Sequence, residues 1–250
     1  MPELPLVLLH AFPVDARMWN AVRAPLAERI RLITPDQRGL GRSPLPETDR
    51  EPTLEDAARD VIALLDRLEL DEVVLGGCSM GGYLTQAVLR VAPERIGGLI
   101  FIDTKATADA PEAAQARLDL AKRAEADGIT GWLADAAMPL MFADATLAER
   151  ADLVASTREL IEAQSASGIA WAARAMAARP DSLDLLRETG VPTLVLVGEH
   201  DKVTPVDQAK LMAGAAPNST LEVLPESAHL TPLEVPDLVS RAILDWYPRG

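Results

Sequence analysis

Short apolar runs alternate along the chain with longer segments in which apolar residues recur at helical spacing. Most of these runs are hydrophobic at every position, which is typical of parallel strands buried on both faces. Their alternation with helical segments indicates an α/β fold, in which helices cover a mostly parallel sheet. The pattern predicts six strands, over residues 4–10, 31–35, 72–77, 98–103, 193–198 and 220–225.

Two of the intervening helices carry clear start signals. Thr53 followed by Asp56 predicts the N-terminus of a long amphipathic helix. Thr204 and Pro205 give a similar signal for a helix over residues 205–214. Both helices follow the order expected when each strand is followed by a helix that returns the chain to the sheet.

The alternation stops between about Thr107 and Arg187, where the sequence shows Ala-rich helical periodicity and no strand pattern. Such a stretch, about eighty residues long, greatly exceeds an ordinary connection between two strands. We therefore predict an all-helical cap over residues 107–187. The cap would be inserted into an α/β core that is built from residues 1–106 and 188–250.

Composition and charge narrow the classes of protein. With 250 residues, of which 48% are apolar, the chain can bury a substantial core. A net charge of −14 argues against nucleic acid or an anionic membrane as a partner. No apolar run is long enough to span a membrane, and the N-terminus lacks the basic region of a signal peptide. We expect a cytoplasmic protein, and a single cysteine, Cys78, suits a reducing compartment.

The stretch VLGGCSMGGY, residues 74–83, surrounds one serine with glycines at the end of a predicted strand. Gly77 to Gly81 fits G-x-S-x-G between a strand and a helix, with Ser79 as the central residue. Glycine on both sides lets strand and helix pack closely beneath a turn that exposes the serine. A tight connection without chemistry is the alternative, but the strand–turn–helix context favours Ser79 as a nucleophile whose environment includes a helix N-terminus.

A serine nucleophile needs a base, and the chain has three histidines. His229 lies in a loop after the last predicted strand and is the favoured base, whereas His10 and His200 are interpreted as structural. Two carboxylates could orient the base, Asp201 and Asp103, because both follow the carboxyl ends of predicted strands. Asp201 is favoured, since it gives the chain order serine, aspartate, histidine.

Five motifs together carry a resemblance to a known family. They are LLHAFP at 8–13, DQRGLGRS at 36–43, GCSMGG at 77–82, GEHDKVTP at 198–205 and SAHLTPLEVP at 227–236. With these motifs the chain resembles the α/β-hydrolase superfamily over essentially its whole length. It is most similar in character to small capped esterases, 3-oxoadipate enol-lactonase-like hydrolases and cofactor-free haloperoxidases.

The resemblance implies further features of the site and the sheet. The backbone N–H groups of Phe12 and Met80 would form the oxyanion hole, with Phe12 in the family's His-Gly-x-Pro loop. Ala11 replaces the usual glycine of that loop, which constrains it slightly. Residues 1–3 are too few to supply the family's N-terminal hairpin, so the expected sheet has about six parallel strands.

These residues predict a serine hydrolase that cleaves a small carboxylic ester or lactone through an acyl-enzyme. No cofactor is needed, and without HExxH or CxxC the chain offers no usual zinc site. The substrate pocket would lie between the cap and the carboxyl edge of the sheet. Its candidate lining residues, each of which could instead pack the cap's own core, are Trp132, Met138, Leu140, Met141, Phe142, Trp171 and Met176.

Two alternatives stay open at this stage. The first is perhydrolase or haloperoxidase activity, in which peroxide replaces water at the acyl-enzyme. The second is a catalytically silent ligand-binding member of the fold. The implied partner is a small-molecule substrate, and a homo-oligomer is compatible with the sequence. Cys78, next to the serine, is interpreted as a small buried filler.

Overall fold

A computed structural model of the chain describes residues 4–247. Its strands are β1 (Leu6–Leu9), β2 (Leu32–Ile33), β3 (Val73–Cys78), β4 (Ile96–Ile102), β5 (Thr193–Gly198) and β6 (Ser219–Leu224). They form one sheet in the order β2-β1-β3-β4-β5-β6, and every neighbouring pair is parallel. The prediction of a six-stranded parallel sheet is confirmed. The predicted absence of a hairpin concerns residues 1–3, which lie outside the described range.

Helices cover both faces of this sheet and fill the long interval between β4 and β5. Two short 3₁₀ turns, Ala16–Trp19 and Pro93–Arg95, complete the regular structure of the described residues. The α-helices are α1 (Asn20–Ala27), α2 (Leu54–Arg67), α3 (Met80–Val91), α4 (Pro111–Asp127), α5 (Trp132–Met141), α6 (Asp144–Glu149), α7 (Ala151–Glu162), α8 (Ala166–Ala177), α9 (Leu183–Glu188), α10 (Val206–Ala215), α11 (Thr231–Glu234) and α12 (Pro236–Trp246).

The burial of the strands explains the hydrophobic pattern of the sequence. Every residue of β1, β3 and β5 is buried, as expected for central strands that helices cover on both faces. In the edge strand β6, by contrast, every residue except the last, Leu224, is partly or fully exposed. The order of the strands reverses direction between β1 and β3, so the carboxyl ends of these two strands border a crevice. Ligands bind at such a point in open α/β sheets.

The segment between β4 and β5 contains helices α4 to α9 and, among the described residues, no strand. We call these helices the helical insertion. The segments just before α4 and just after α8 meet, because the Ser182 N–H donates to the Ala106 carbonyl (2.9 Å) and Arg179 donates to both carboxylate oxygens of Asp109 (2.7 and 2.8 Å). The division into a core and a cap at residues 106/107 and 187/188 stays a prediction.

The buried ion pair at this junction has an electrostatic signature. Burial alone would raise the pKa of Asp109, but the hydrogen bond from Arg179 and the charge of Arg117 hold it far below its usual range. An unpaired charge at such a buried position would be costly, so the pair favours one closed arrangement of the two segments.

Among residues 4–247, no helix combines the length and the apolar character that crossing a membrane requires.

Candidate active site

Ser79 occupies a strained turn between β3 and α3. Its backbone has φ +52° and ψ −113°, a combination that residues with a side chain rarely adopt. Hydrogen bonds hold the turn in place: the Ser79 N–H donates to the Ile102 carbonyl (2.9 Å), and the Thr104 hydroxyl donates to the Ser79 carbonyl (2.8 Å). The serine side chain is therefore fixed at the carboxyl edge of the sheet.

The flanking glycines are required by close packing beneath this turn. A Cβ atom on Gly77 would lie 2.2 Å from the carbonyl carbon of Gly81, so strand and helix touch directly. A Cβ atom on Gly81 would lie 2.0 Å from the carbonyl oxygen of Leu9 at the end of β1. Any larger residue at either position would push α3 away from the sheet and move Ser79 with it.

Ser79, His229 and Asp201 form one hydrogen-bonded chain. His229 Nε2 lies 2.8 Å from Ser79 Oγ, and His229 Nδ1 lies 2.9 Å from Asp201 Oδ2. All three residues are buried. These residues lie in three separate loops, after β3, β5 and β6, and the parallel sheet brings the loops together at one edge.

Asp201 is held by more than the histidine. Its Oδ1 accepts the N–H groups of Val203 and Thr204, each at 2.8 Å, and its Oδ2 accepts the Thr204 hydroxyl at 2.7 Å. Burial alone would raise the pKa of Asp201, but the charge and hydrogen bond of His229 and the donors of Thr204 hold it below its usual value. The carboxylate is thus stabilised as an anion facing His229.

Asp103, the other candidate acid, makes no hydrogen bond to His229. Its Oδ1 accepts the Gly198 N–H (3.0 Å), and its Oδ2 accepts the N–H and the hydroxyl of Thr231 (2.9 and 2.7 Å). It is fully buried, and burial together with the charge of Asp201 raises its pKa well above the usual range. Asp103 therefore joins the end of β5 to the loop that carries His229 without a hydrogen bond to the imidazole.

The predicted oxyanion-hole residues lie shortly after the ends of β1 and β3. Met80 is the first residue of α3, where a backbone N–H has no acceptor within the helix. Phe12 is partly buried in the loop after β1, and the neighbouring Ala11 N–H donates to the Met18 sulfur (3.1 Å). Whether the two amides bind an oxyanion stays a prediction, although a helix N-terminus favours developing negative charge there.

His10 braces the loop that contains Phe12. Its Nε2 accepts the Gln37 N–H (2.9 Å), so the ring proton is on Nδ1, which donates to the Ala11 carbonyl (2.9 Å). Gln37 also donates its side-chain amide to the His10 carbonyl (2.6 Å). Burial lowers the pKa of His10, which favours the neutral ring that these contacts require.

Two other potentially reactive side chains, Cys78 and His200, are not part of the hydrogen-bonded chain of Ser79, His229 and Asp201. Burial raises the pKa of the Cys78 thiol well above its usual range, with a further contribution from Asp103, so the thiol is held in its unreactive form. His200 is half-exposed beside Glu199, with 3.9 Å between Nε2 and the nearest carboxylate oxygen. Within residues 4–247, no group of three or more His, Cys, Asp and Glu side chains is suited to holding a metal ion.

Four of the seven candidate lining residues differ in their surroundings. Phe142 is fully buried, and Met138 is buried with it in the hydrophobic core. The Trp171 ring is also buried and lies 5.4 Å from the Arg38 guanidinium. Trp132 is partly exposed; its ring packs against the Arg123 guanidinium, and its Nε1 donates to the Gly128 carbonyl (2.8 Å). Their contact with substrate stays a prediction.

The sequence interpretation missed two residues of the site. Thr204 is predicted to start a helix, yet α10 begins at Val206 and the Thr204 hydroxyl bonds to Asp201. Glu234 is buried close to His229 and was not predicted to take part in the site. One signal was available for it: Glu234 is an acid placed directly between the apolar residues Leu233 and Val235.

Comparison with known proteins gives evidence about the family of the chain that is independent of the site geometry. The model of the alpha/beta hydrolase fold family matches residues 5–236 of the chain. Over 238 residues the chain is 29% identical to 3-oxoadipate enol-lactonase 2 of Acinetobacter baylyi, covering 95% of this chain and 86% of that protein. It is 28% identical over 251 residues to a proposed non-heme chloroperoxidase of Synechocystis, covering 97% and 90% of the two chains.

Among solved structures, the chain is similar to a thermophilic esterase from Thermogutta terrifontis. The TM-score is 0.93 at 39% sequence identity, and the match covers 97% of this chain and 89% of the esterase. The relatives therefore combine one fold with names that denote lactone, ester and peroxide chemistry.

Proposed function

The chain belongs to the α/β-hydrolase fold family, and on that premise we propose that it is a serine hydrolase that cleaves a small carboxylic ester or lactone through an acyl-enzyme. The observation that carries the proposal is the continuous chain of hydrogen bonds from Ser79 through His229 to Asp201. The enol-lactonase and esterase relatives support a carboxylic ester or lactone as the substrate class.

In the proposed acylation step, His229 Nε2 accepts the Ser79 hydroxyl proton while Ser79 Oγ attacks the substrate carbonyl carbon. His229 must then carry its own ring proton on Nδ1, and the bond to Asp201 favours that tautomer. The amides of Phe12 and Met80 stabilise the charge that develops on the carbonyl oxygen. When the tetrahedral intermediate collapses, the carbon–oxygen bond to the leaving group breaks and His229 returns the proton to that oxygen.

Deacylation repeats the same proton transfers with water as the nucleophile. His229 removes a proton from water, the hydroxyl oxygen attacks the acyl carbon, and the proton returns to Ser79 Oγ as the acid is released. With a lactone, the leaving oxygen stays part of the acyl group, so deacylation releases a single ring-opened acid. Side chains and backbone amides of the chain supply every group, so the proposed reaction uses no cofactor.

A fluorophosphonate probe tests this proposal directly, because it phosphonylates a serine that a neighbouring base activates. We expect one label per folded chain, located on Ser79 by peptide mass spectrometry, and loss of ester hydrolysis in proportion to labelling. Active protein that takes no label, or a label on another serine, would contradict the assignment. Folded protein that is inert to the probe and to a panel of p-nitrophenyl esters and lactones would favour the silent ligand-binding alternative.

Perhydrolysis is a second candidate activity, which the similarity to the Synechocystis protein favours. Hydrogen peroxide would replace water in deacylation: its oxygen attacks the acyl carbon, a peracid leaves, and the proton returns to Ser79. The two activities share the acyl-enzyme and differ only in which nucleophile reaches it. The amount of peracid formed per ester consumed, measured at fixed peroxide, separates them.

We further propose that the helical insertion covers the site and selects the acyl group, with Trp132 among the residues that contact it. Trp132→Ala is then expected to change the ratio of kcat/KM for short and long p-nitrophenyl esters by about 10-fold, as expected when a pocket changes its apolar contacts. The matched control is Trp246→Ala, another partly exposed tryptophan, which packs near Gly98 in the first half of β4. The idea fails if Trp132→Ala leaves the ratio unchanged, or if both variants alter it equally.

Phe142 is a poorer probe of the same idea. Because its ring is fully buried, Phe142→Ala would cost about 3–5 kcal/mol of stability. A change in selectivity would then be mixed with a general loss of structure.

A further inference from the structure

The Glu234 carboxylate bridges two parts of the chain that meet beside the proposed base. Glu234 is the last residue of α11 and is buried. Its Oε1 accepts the Ala143 N–H (2.9 Å) and the Thr146 hydroxyl (2.7 Å), both in the helical insertion. Its Oε2 accepts the Ala228 N–H (2.7 Å), one residue before His229. One side chain therefore holds both the insertion and the loop that carries His229.

Two further contacts join the same segments. The backbone N–H of His229 itself donates to the carbonyl of Met141, the last residue of α5 (3.0 Å). The Arg150 guanidinium donates to the Glu234 carbonyl oxygen (2.6 Å). Residues 228–234 are thus tied to residues 141–150 at both ends, and His229 lies within the tied segment.

The opposite side of the loop is tied to the sheet. Asp103, at the end of β4, accepts both donors of Thr231, two residues after His229. The loop is therefore held between two buried carboxyl groups, with Asp103 on the sheet side and Glu234 on the side of the helical insertion. A carboxylate is suited to this task because each of its oxygens only accepts, so a single side chain can satisfy donors from two directions.

We propose that Glu234 is a positioning residue that fixes His229 to the helical insertion, so that the insertion and the base keep one relative position during the reaction. This inference rests on the proposed serine hydrolase function. Proton transfer from Ser79 depends on the 2.8 Å separation of Oγ and Nε2. A displacement of about 1 Å that originates away from the reacting atoms can lower a rate by about 10²-fold. By holding the His229 loop in place, the Glu234 bridge maintains the distance between Ser79 Oγ and His229 Nε2.

Glu234→Gln tests the bridge with a side chain of the same shape. The glutamine amide has one accepting oxygen and a nitrogen that only donates, so it can serve either Ala228 or the pair in the insertion, but not both. We expect kcat for a p-nitrophenyl ester to fall about 10- to 100-fold, with KM within about threefold of the wild-type value. The rate of fluorophosphonate labelling of Ser79 should fall in parallel, because it also requires the base.

Two variants keep the test specific. Glu226→Gln makes the same chemical change on an exposed side chain of the same loop, and we expect it to retain wild-type kcat. Thr146→Val removes only the hydroxyl contact on the insertion side, and we expect a loss of about threefold to tenfold. The double variant Glu234→Gln and Thr146→Val should lose less than the product of the single losses, because the two residues share one bond.

The outcomes separate the bridge from general stability. A folded Glu234→Gln enzyme with unchanged kcat would overturn the proposal, as would a loss that disappears when rates are corrected for the folded fraction. If Glu234→Gln does not fold, Thr146→Val decides, and wild-type kcat in that variant overturns the proposal. Activity that survives in Ser79→Ala would instead disprove the proposed function. An inactive Ser79→Ala beside a wild-type-like Glu234→Gln would disprove only the role of Glu234.

Discussion

Replacing Ser79 with alanine is expected to lower kcat for ester hydrolysis by about 10⁶-fold, the loss measured when a serine protease loses its nucleophile. The variant keeps His229 and Asp201 but has no oxygen to form the acyl-enzyme. Backbone amides and substrate binding would leave a residual rate about 10³–10⁴-fold above the uncatalysed reaction. The fold should persist, because the Ser79 backbone keeps its bonds to the Ile102 carbonyl and the Thr104 hydroxyl, and Gly77 keeps its close contact with Gly81.

The measurement is kcat on purified variants whose circular dichroism matches that of the wild type, with a fluorophosphonate check for contaminating enzyme. Ser43→Ala is a matched control, since it removes a hydroxyl that donates to the Asp36 carbonyl (2.7 Å) in another of the family motifs. We expect Ser43→Ala to retain wild-type kcat. Should Ser79→Ala keep more than a few per cent of the activity, the nucleophile must be another residue or an activated water.

Replacing Asp201 with asparagine is expected to lower kcat by about 10⁴-fold, the loss known for the same change in a serine protease. The amide oxygen would stay on the N–H groups of Val203 and Thr204, which only donate. The amide nitrogen would then face His229 and donate to Nδ1, which places the ring proton on Nε2. An imidazole in that tautomer cannot accept the proton of Ser79.

Asp103→Asn is the matched control for this prediction, because it makes the same change in the neighbouring buried carboxyl group. An asparagine at that position can keep its amide oxygen on both donors of Thr231 and lose only the bond from Gly198. We expect its kcat to stay within about tenfold of the wild-type value, since no bond to His229 changes. Both variants are compared on a neutral ester after their folding is checked by circular dichroism. If Asp103→Asn loses most of its activity and Asp201→Asn keeps it, then Asp103, after β4, is the acid that orients His229.

The strands and the turn around Ser79 follow from patterns that are local in the sequence. A continuous run of apolar residues indicates a strand that is buried on both faces, and it does so without knowledge of the strand's position in the sheet. The six strands could therefore be predicted. Gly77 and Gly81 report a close approach of backbone between a strand and the helix that follows it. These constraints act over a few residues, so the sequence alone is enough to indicate them.

The surroundings of His229 depend on contacts between distant parts of the chain, and no local pattern encodes them. Both Asp201 and Asp103 follow a strand at the same edge of the sheet, so position alone could not decide between them. The loop after β5 brings Asp201 within hydrogen-bonding distance of the imidazole. Asp103 instead accepts hydrogen bonds from Thr231, which lies 128 residues further along the chain. Glu234 likewise acquires its partners only when the helical insertion packs against the last loop.

The sequence by itself therefore determined the α/β sheet, the tight turn at Ser79 and a short set of ionisable residues near one edge. Only the tertiary structure decided which carboxyl group bonds to His229 and which one braces its loop. It also buried Phe142 in the core while leaving Trp132 partly exposed, although both lie in the same helical periodicity. The physical reason is that hydrogen-bonding donors and acceptors are chosen by proximity in the folded chain, and that proximity is set by how whole elements pack.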